Sequence, residues 1–359
     1  MRLCFLNADR EWSGRARAFA DAAHVLRARG HETTLVCAAE GDLSRRFESS
    51  ATEVLAVRTD GAWPRAGWQL RAVLRRKFVD VTFVHAEREL LVAAAAVRFA
   101  GQGAVVQRVP PLAQSTLGRD ARFGRRLVTA GTLFSLDQDA RAPTTVMRAS
   151  DFVVAPPGVA ESPAISGDAE EAGSAVIGVV YDAVHRSRLS VVLGALALLA
   201  QRHAELRFRL LGPGDSTDAL RMQAAALRIG SVVEMVDTTI GSVAPGARVA
   251  RAELALVLAD GDDAAFGILD CLSSGVPVIT ERTALSHTLM AGGESGVLTT
   301  DLDVAGYAAL IAGLLADHGR RGQRAAAARA AAGRWTLTAM ADGFERSARD
   351  AHDRSRHRV

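Results

Sequence analysis

At 359 residues the chain is longer than one compact core usually serves, so two domains are expected, and 49% hydrophobic with 23% charged residues excludes a disordered or fibrous chain. The formal net charge of +3 hides an asymmetry: residues 1–155 hold 23 basic against 16 acidic side chains, the remainder 20 against 24. Lys77 is the only lysine among 43 basic residues, so arginine bias accounts for the basic first half as well as an anionic acceptor or membrane surface would.

In chain order, residues 1–7 read as a buried strand, and a loop carrying Trp12, Ser13 and Gly14 leads into a helix over 15–29 that Gly30 ends. Residues 33–37 form a second strand. This β-α-β opening lacks the GxGxxG of a dinucleotide-binding turn, which disfavours nicotinamide and flavin chemistry. The segment 63–78 reads as a helix with Trp68, Val73 and Leu74 set against Arg65, Arg71, Arg75, Arg76 and Lys77, either an ordinary surface helix or one that lies on an anionic membrane. A strand over 79–84 ends at His85, an alanine-rich helix runs to about 100, and 104–109 is a further strand. The basic run Arg119, Arg122, Arg125 and Arg126 has no interleaved base-stacking aromatics, so nucleic acid is not an expected partner. A strand over 151–155 closes the first half.

Residues 158–174, small and acidic, are the linker candidate between a first domain over 1–157 and a second over 175–335. The second half restarts with a strand at 175–181, a helix over 187–203, a strand at 206–211 ending in Gly212-Pro213-Gly214, a helix to 228 and a strand near 232–235. Residues 252–280 then form the stretch that organises the chain. An apolar run at 254–258 meets an acidic turn, Asp260, Gly261, Asp262 and Asp263. A helix follows with Phe266, Ile268, Leu269 and Leu272 at three-to-four spacing, then Ser273-Ser274-Gly275 and a strand at 276–279. Strand, helix and strand in one sheet imply parallel pairing, with ligand beyond the carboxyl ends of the strands. Segments at 287–292 and 297–299 follow, then helices to the C-terminus, and residues 336–359 are expected to pack back on the first domain with a basic tail.

The apolar runs reach about half of a membrane span, and no export signal is evident at residues 1–14. Cys4, Cys37 and Cys271, an odd number without CxxC, suit small core residues in a reducing cytoplasm.

The stretch at 252–279 resembles retaining glycosyltransferase family 4 without a gap: a strand, an acidic residue, seven residues, a second acidic residue and an SGVPV ending, here Asp262, Asp270 and Ser274-Gly275-Val276-Pro277-Val278. Weaker likeness extends along the chain at Gly14, Gly30-His31-Glu32, residues 80–86, Gly178, Gly212 and 292–298. The resemblance implies an α/β protein of the GT-B fold, two Rossmann-like domains with parallel sheets facing a cleft. It implies transfer of a sugar from a UDP- or GDP-type nucleotide sugar to a hydroxyl of a glycan or lipid-linked acceptor, with retention, for cell-envelope or exopolysaccharide synthesis. No cofactor or metal is implied, and the place of work would be the cytoplasm or the inner face of the membrane. By resemblance Asp270 takes the ribose diol, Asp262 and His85 the sugar as the catalytic pair, and Gly14, Gly212 and the cations Arg186 and Arg188 the donor and its phosphates.

The chain departs from the pattern in four places. Both acids are aspartate where glutamate is usual, roughly 1.5 Å shorter in reach. Asp263-Ala264-Ala265 replaces a glycine-rich step. Val179 stands where the family has arginine, and Ser187, between Arg186 and Arg188, where it has lysine; an arginine fork can bind phosphate in its place. A degenerate protein that binds a nucleotide sugar or a protein partner without turnover, and a nucleotide-sugar epimerase, are the competing expectations.

Overall fold

The computed structural model describes residues 1–47, 53–57, 63–111, 119–128, 130–137, 152–160, 175–182, 184–214, 217–238, 249, 252–290 and 295–357. Asp151, most of the expected linker (161–174), residues 291–294 and the side chain of Arg186 lie outside the described residues. The chain divides into two compact units, one comprising Met1–Gly158 with Leu337–Val359, the other Val159–Thr336.

The first unit holds a seven-stranded parallel sheet of β1 (Arg2–Asn7), β2 (Glu32–Ala38), β3 (Glu53–Val57), β4 (Val81–Val84), β5 (Ala104–Val109), β6 (Ala130–Phe134) and β7 (Phe152–Val154), in the order β3-β2-β1-β4-β5-β6-β7. Its helices are α1 (Gly14–Ala28), α2 (Asp42–Phe47), α3 (Trp63–Lys77), α4 (Glu87–Ala100), α5 (Arg119–Leu127) and the C-terminal helix, Leu337–Arg356. The near-continuous apolar run of β1 follows from its position: Phe5 pairs with Leu35 on one side and Phe83 on the other, and both faces are covered. Alternate residues go to opposite faces. Cys4 and Leu6 join Leu70 and Leu74 of α3 and Leu90, Ala93 and Val97 of α4, whereas Phe5 meets Phe19 of α1, Phe83 and Phe344 of the C-terminal helix at ring separations of 5.0–6.0 Å. The strands β3 and β6 and the helix α2 escape the sequence reading. EVLAV and AGTLF are five residues each, too short for a period to show, and β6 carries a glycine and a threonine.

Basic side chains occupy the last turns of α3, α4, α5 and the C-terminal helix, Arg75, Arg76 and Lys77, Arg98, Arg125 and Arg126, Arg354 and Arg356 respectively. Cations there complement the negative ends of the helices, which gives the basic residues of α3, α4 and α5 in the first half a structural reason.

The second unit holds a six-stranded parallel sheet of β8 (Val176–Tyr181), β9 (Arg207–Gly212), β10 (Val233–Asp237), β11 (Ala252–Leu258), β12 (Val278–Glu281) and β13 (Gly296–Thr299), in the order β10-β9-β8-β11-β12-β13. Its helices are α6 (Arg186–Ala200), α7 (Thr217–Ala226), α8 (Gly261–Ser273), α9 (Ala284–Leu289), α10 (Val304–Ala316) and α11 (His318–Ala332). On one face Ile177, Val179, Leu254 and Leu256 pack with Leu189 and Leu193 of α6 and Ile311 of α10. On the other lies α8, whose Gly267 would put a Cβ only 3.2 Å from Val180 and Val257. A glycine at that point lets the helix sit close on the sheet. No described helix is long and apolar enough to cross a membrane. Cys4, Cys37 and Cys271 are free and buried, and burial pushes the thiols up, Cys4 to about 12 and Cys37 to about 11.

Candidate functional site

Strand order reverses direction between β1 and β4 in the first sheet and between β8 and β11 in the second. Loops leaving two such neighbours diverge to opposite faces and open a crevice beyond the carboxyl ends, where α/β sheets bind ligands. The residues singled out from sequence fall largely at these two points.

In the first unit Asn7 ends β1 and Val84 ends β4, and Glu89 of α4 joins the two loops. Its Oε1 accepts from the Ala8 N–H at 2.6 Å and its Oε2 from the His85 and Ala86 N–H groups, both at 2.9 Å. Burial raises the carboxyl above its ordinary value, and the backbone bonds oppose that rise. His85 stacks on Phe19 at 3.6 Å between ring centres, and its Nε2 lies 2.9 Å from the carbonyl oxygen of Arg15. A carbonyl only accepts, so Nε2 carries the proton and Nδ1 is left as an acceptor. That Nδ1 is buried and has no hydrogen-bond partner. Burial, reinforced by the charges of Arg108 and Arg15, holds His85 well below 6.5. His85 is therefore neutral at physiological pH, with Nδ1 as its acceptor. Gly14 is the first residue of α1, directly after the N-cap Ser13, whose hydroxyl accepts from the Ala16 N–H at 3.4 Å. Gln107 and the fully buried Arg108 are consecutive residues near the end of β5 and so belong to opposite faces; Gln107 accepts from Arg125 at 3.0 Å.

In the second unit α8 begins where β11 stops. Asp260 is its N-cap in extended conformation, Asp262 and Asp263 occupy its first turn, and Asp270 lies on its third. Asp262 and Asp270 are both buried, 3% and 7% exposed. Arg188, in the first turn of α6, pairs with Glu281 at the end of β12. Gly212 ends β9 beneath the ring of Tyr181, and a Cβ there would lie 2.2 Å from Tyr181 Cζ. Its glycine thus has a packing reason in addition to the donor role expected of it. Among the described residues no group of three or more His, Cys, Asp or Glu could hold a metal ion.

The structure gathers Asp262, Arg188 and Gly212 at the carboxyl edge of the second sheet, with Asp270 further along α8; His85 and Gly14 share the switch point of the first sheet. Sequence reasoning missed Glu89, Asp182 and His185. Glu89 is half of a capping box whose signature is broken because Ala86 stands at the N-cap. Asp182 and His185 form a local Asp-x-x-His pattern that has no meaning until Asp260 is beside it.

Residues 174–317 match the family model described as glycosyl transferases group 1. No curated protein matches the chain in sequence. Solved structures resemble it along nearly its whole length. A glycosyltransferase from Rickettsia africae is 11% identical with a TM-score of 0.74 over 98% of both chains. HepE from Anabaena, in complex with UDP and glucose, is 18% identical with a TM-score of 0.75 over 96% of this chain and 98% of that one. A Listeria monocytogenes protein described as a UDP-N-acetylglucosamine 2-epimerase is 13% identical with a TM-score of 0.66 over 96% and 97%.

Two parallel α/β units of this kind are the GT-B fold, and with the family match the class they define is a glycosyltransferase. The group 1 match itself lies in the second unit, from just before β8 to the end of α10.

Proposed function

We propose that this chain is a retaining glycosyltransferase akin to family 4, moving a sugar from a UDP- or GDP-type nucleotide sugar to an acceptor hydroxyl in cell-envelope or exopolysaccharide synthesis. The observation that carries the reading is the placement of α8. Its N-terminus opens at the switch point of the second sheet, and its two buried acids are eight residues apart. Eight residues of helix rise about 12 Å on nearly one face, comparable with the span of a diphosphate that joins ribose to sugar. Asp270 then takes the ribose diol through its two oxygens, Asp262 takes sugar hydroxyls, and the open N–H groups at the starts of α6 and α8 receive the phosphates. His85, as a neutral acceptor, holds a sugar hydroxyl. The same N–H groups stabilise the leaving diphosphate as charge develops on it. HepE, which shares the fold, was crystallised with UDP and glucose, and that supports a UDP-type donor.

The test is isothermal titration of UDP and GDP, with and without sugars, into the parent and Asp270→Ala. Loss of a charge-assisted pair of hydrogen bonds costs about 1.5–3 kcal/mol, so the variant should bind the preferred nucleotide roughly ten- to hundredfold more weakly. Equal binding by the variant would remove Asp270 from the donor site.

A second reading, a protein that binds the donor without turnover, is favoured by one observation: Arg188 is committed to Glu281, and Asp260, Asp262 and Asp263 crowd the helix start where phosphate would sit. Nucleotide binding without sugar release or transfer in the same preparation would select it. Sugar conversion without an acceptor would instead select an epimerase, a description carried by a protein of the same fold.

Location in the cytoplasm, with peripheral contact at the inner membrane face, completes the reading. Trp68 and Phe99 are 61% and 67% exposed, stacked at 6.3 Å, with Arg71 lying 4.9 Å over Trp68. An aromatic pair beside a cation suits a headgroup boundary. Co-sedimentation with vesicles rich in anionic lipid should fall for Trp68→Ser; unchanged sedimentation would remove α3 from the contact.

A further inference from the structure

Beyond the carboxyl ends of β8 and β11 two side chains, Asp182 and His185, bridge two loops that diverge from the switch point. The loop after β8 supplies Asp182 and His185, and the loop after β11 supplies Asp260. Asp182 Oδ1 accepts from the N–H groups of Val184 at 3.0 Å and His185 at 2.9 Å and lies 2.7 Å from His185 Nδ1. Its other oxygen, Oδ2, accepts from the Asp260 N–H at 3.2 Å. The far side of the ring closes the circuit: His185 Nε2 stands 3.0 Å from Asp260 Oδ2. Each ring nitrogen thus faces an oxygen of a different aspartate.

Ionised carboxylates only accept, so a ring nitrogen that bonds to either of them does so by donating. The ring is held between two carboxylates, with the side chains of His185 and Asp182 at 11% and 15% exposure. A histidine satisfied merely as a surface residue would need one partner. This one takes a partner from each loop, and the loops leave the sheet in opposite directions.

Position gives the bridge its consequence. His185 is the N-cap of α6 and Asp260 the N-cap of α8. A link between two N-caps fixes the spacing of the first turns that follow them, and with it the spacing of their first-turn N–H groups. Arg188, one turn into α6, ties the same helix to the end of β12 through Glu281. The charged groups facing the ring are Asp182 and Asp260; Arg188 is turned to Glu281, and Asp262 and Asp263 belong to the turn that the link positions.

We infer that His185 is a positioning residue of the donor site: its ring, set between Asp182 and Asp260, holds the two loops together and sets the distance between the two helix starts that receive the diphosphate. Both ring nitrogens are occupied, so His185 does not bind phosphate itself. The inference rests on the donor site described under the proposed function.

The test uses the full chain and UDP or GDP, whichever the parent binds more tightly. His185→Ala should weaken binding about tenfold, the effect of losing one charge-assisted link. Added imidazole should restore most of the loss, because it presents two unblocked ring nitrogens in the space left. N-methylimidazole, with one ring nitrogen blocked by its methyl group, should not. Where the alanine variant fails to fold, His185→Gln serves: it keeps a single amide nitrogen and should bind several-fold more weakly than the parent. Parental affinity in either variant, or equal rescue by the two imidazoles, overturns the latch while leaving the donor site in place. A parent that binds neither nucleotide overturns the donor reading and the latch together, and that outcome is told apart by the parent alone.

Discussion

His85 shows how far one residue's chemistry is decided by its surroundings. Its ring is sealed against Phe19, one nitrogen is held by the Arg15 carbonyl, and Arg108 and Arg15 add positive charge nearby. All but the carbonyl disfavour protonation, so the native ring stays neutral below 6.5 while the unfolded chain takes up a proton there. With more protons bound in the unfolded state, stability rises with pH. The contribution is whole above about pH 6.5 and is lost as pH falls from that value toward the depressed native one. Urea midpoints of the parent should therefore drop further between pH 7.5 and 5.5 than those of His85→Phe, which keeps a ring against Phe19 but does not titrate. An equal drop would mean that the ring is protonated in the native state. From sequence His85 was legible as a histidine at a strand end. Its protonation state was not, because Phe19, Arg15 and Arg108 come from two other elements. Glu89 makes the same point: a carboxylate that collects three backbone N–H groups looks in sequence like any other acid in a first helical turn.

Among the elements, the C-terminal helix depends most on distant partners. It is the last segment of the chain, yet Phe344 sits in the aromatic cluster of β1, α1 and β4, 5.2 Å from Phe83 and 6.1 Å from Phe19. At its solvent edge Arg29, the C-cap of α1, pairs with Asp342 at 2.8 Å and with Glu345 at 3.0 Å, and His31 reaches Glu345 at 3.3 Å. Burial pushes the Glu345 carboxyl up, but Arg29, His31 and Arg349 outweigh it and hold it below the usual carboxylate range. The apolar contact is the larger effect. Truncating a fully buried phenylalanine costs about 3–5 kcal/mol, against about 1 kcal/mol or less for a partly exposed ion pair. Phe344→Ala should lower the stability of the first unit by that larger amount in chemical denaturation, and Asp342→Ala by much less; the reverse ranking would sink the argument. The periodicity of residues 337–356 announces an amphipathic helix. It carries no record of which sheet the apolar stripe will meet.

For the whole molecule the consequence of two units is that a ligand of one should protect that one. If the second unit holds the donor, nucleotide binding stabilises it by mass action. Amide exchange should slow at the starts of α6 and α8 and in β8 and β11 when UDP or GDP is added. The cores of β1 and β4 and the C-terminal helix should exchange as before. Protection confined to the first unit would move the nucleotide site there. The chain passes from the first unit to the second after Gly158 and returns after Thr336, so a group 1 match over 174–317 lies wholly in one of them.

The amino-acid sequence by itself determined the local elements with a strong period or a long apolar run, the parallel α/β character, and the position of α8 with Asp262 and Asp270 on it. These depend on residues close together in the chain, where spacing of apolar side chains reports directly on which face is buried. Only the tertiary structure decided that Phe344 of the C-terminal helix, a segment expected to pack back on the first domain, enters the aromatic cluster of Phe5, Phe19 and Phe83, that Glu89 binds two loop backbones, and that His185 stands between Asp182 and Asp260. Each of those joins residues tens to hundreds of positions apart. Their contact energies appear only after the sheets have set strand order, and no local pattern encodes that order.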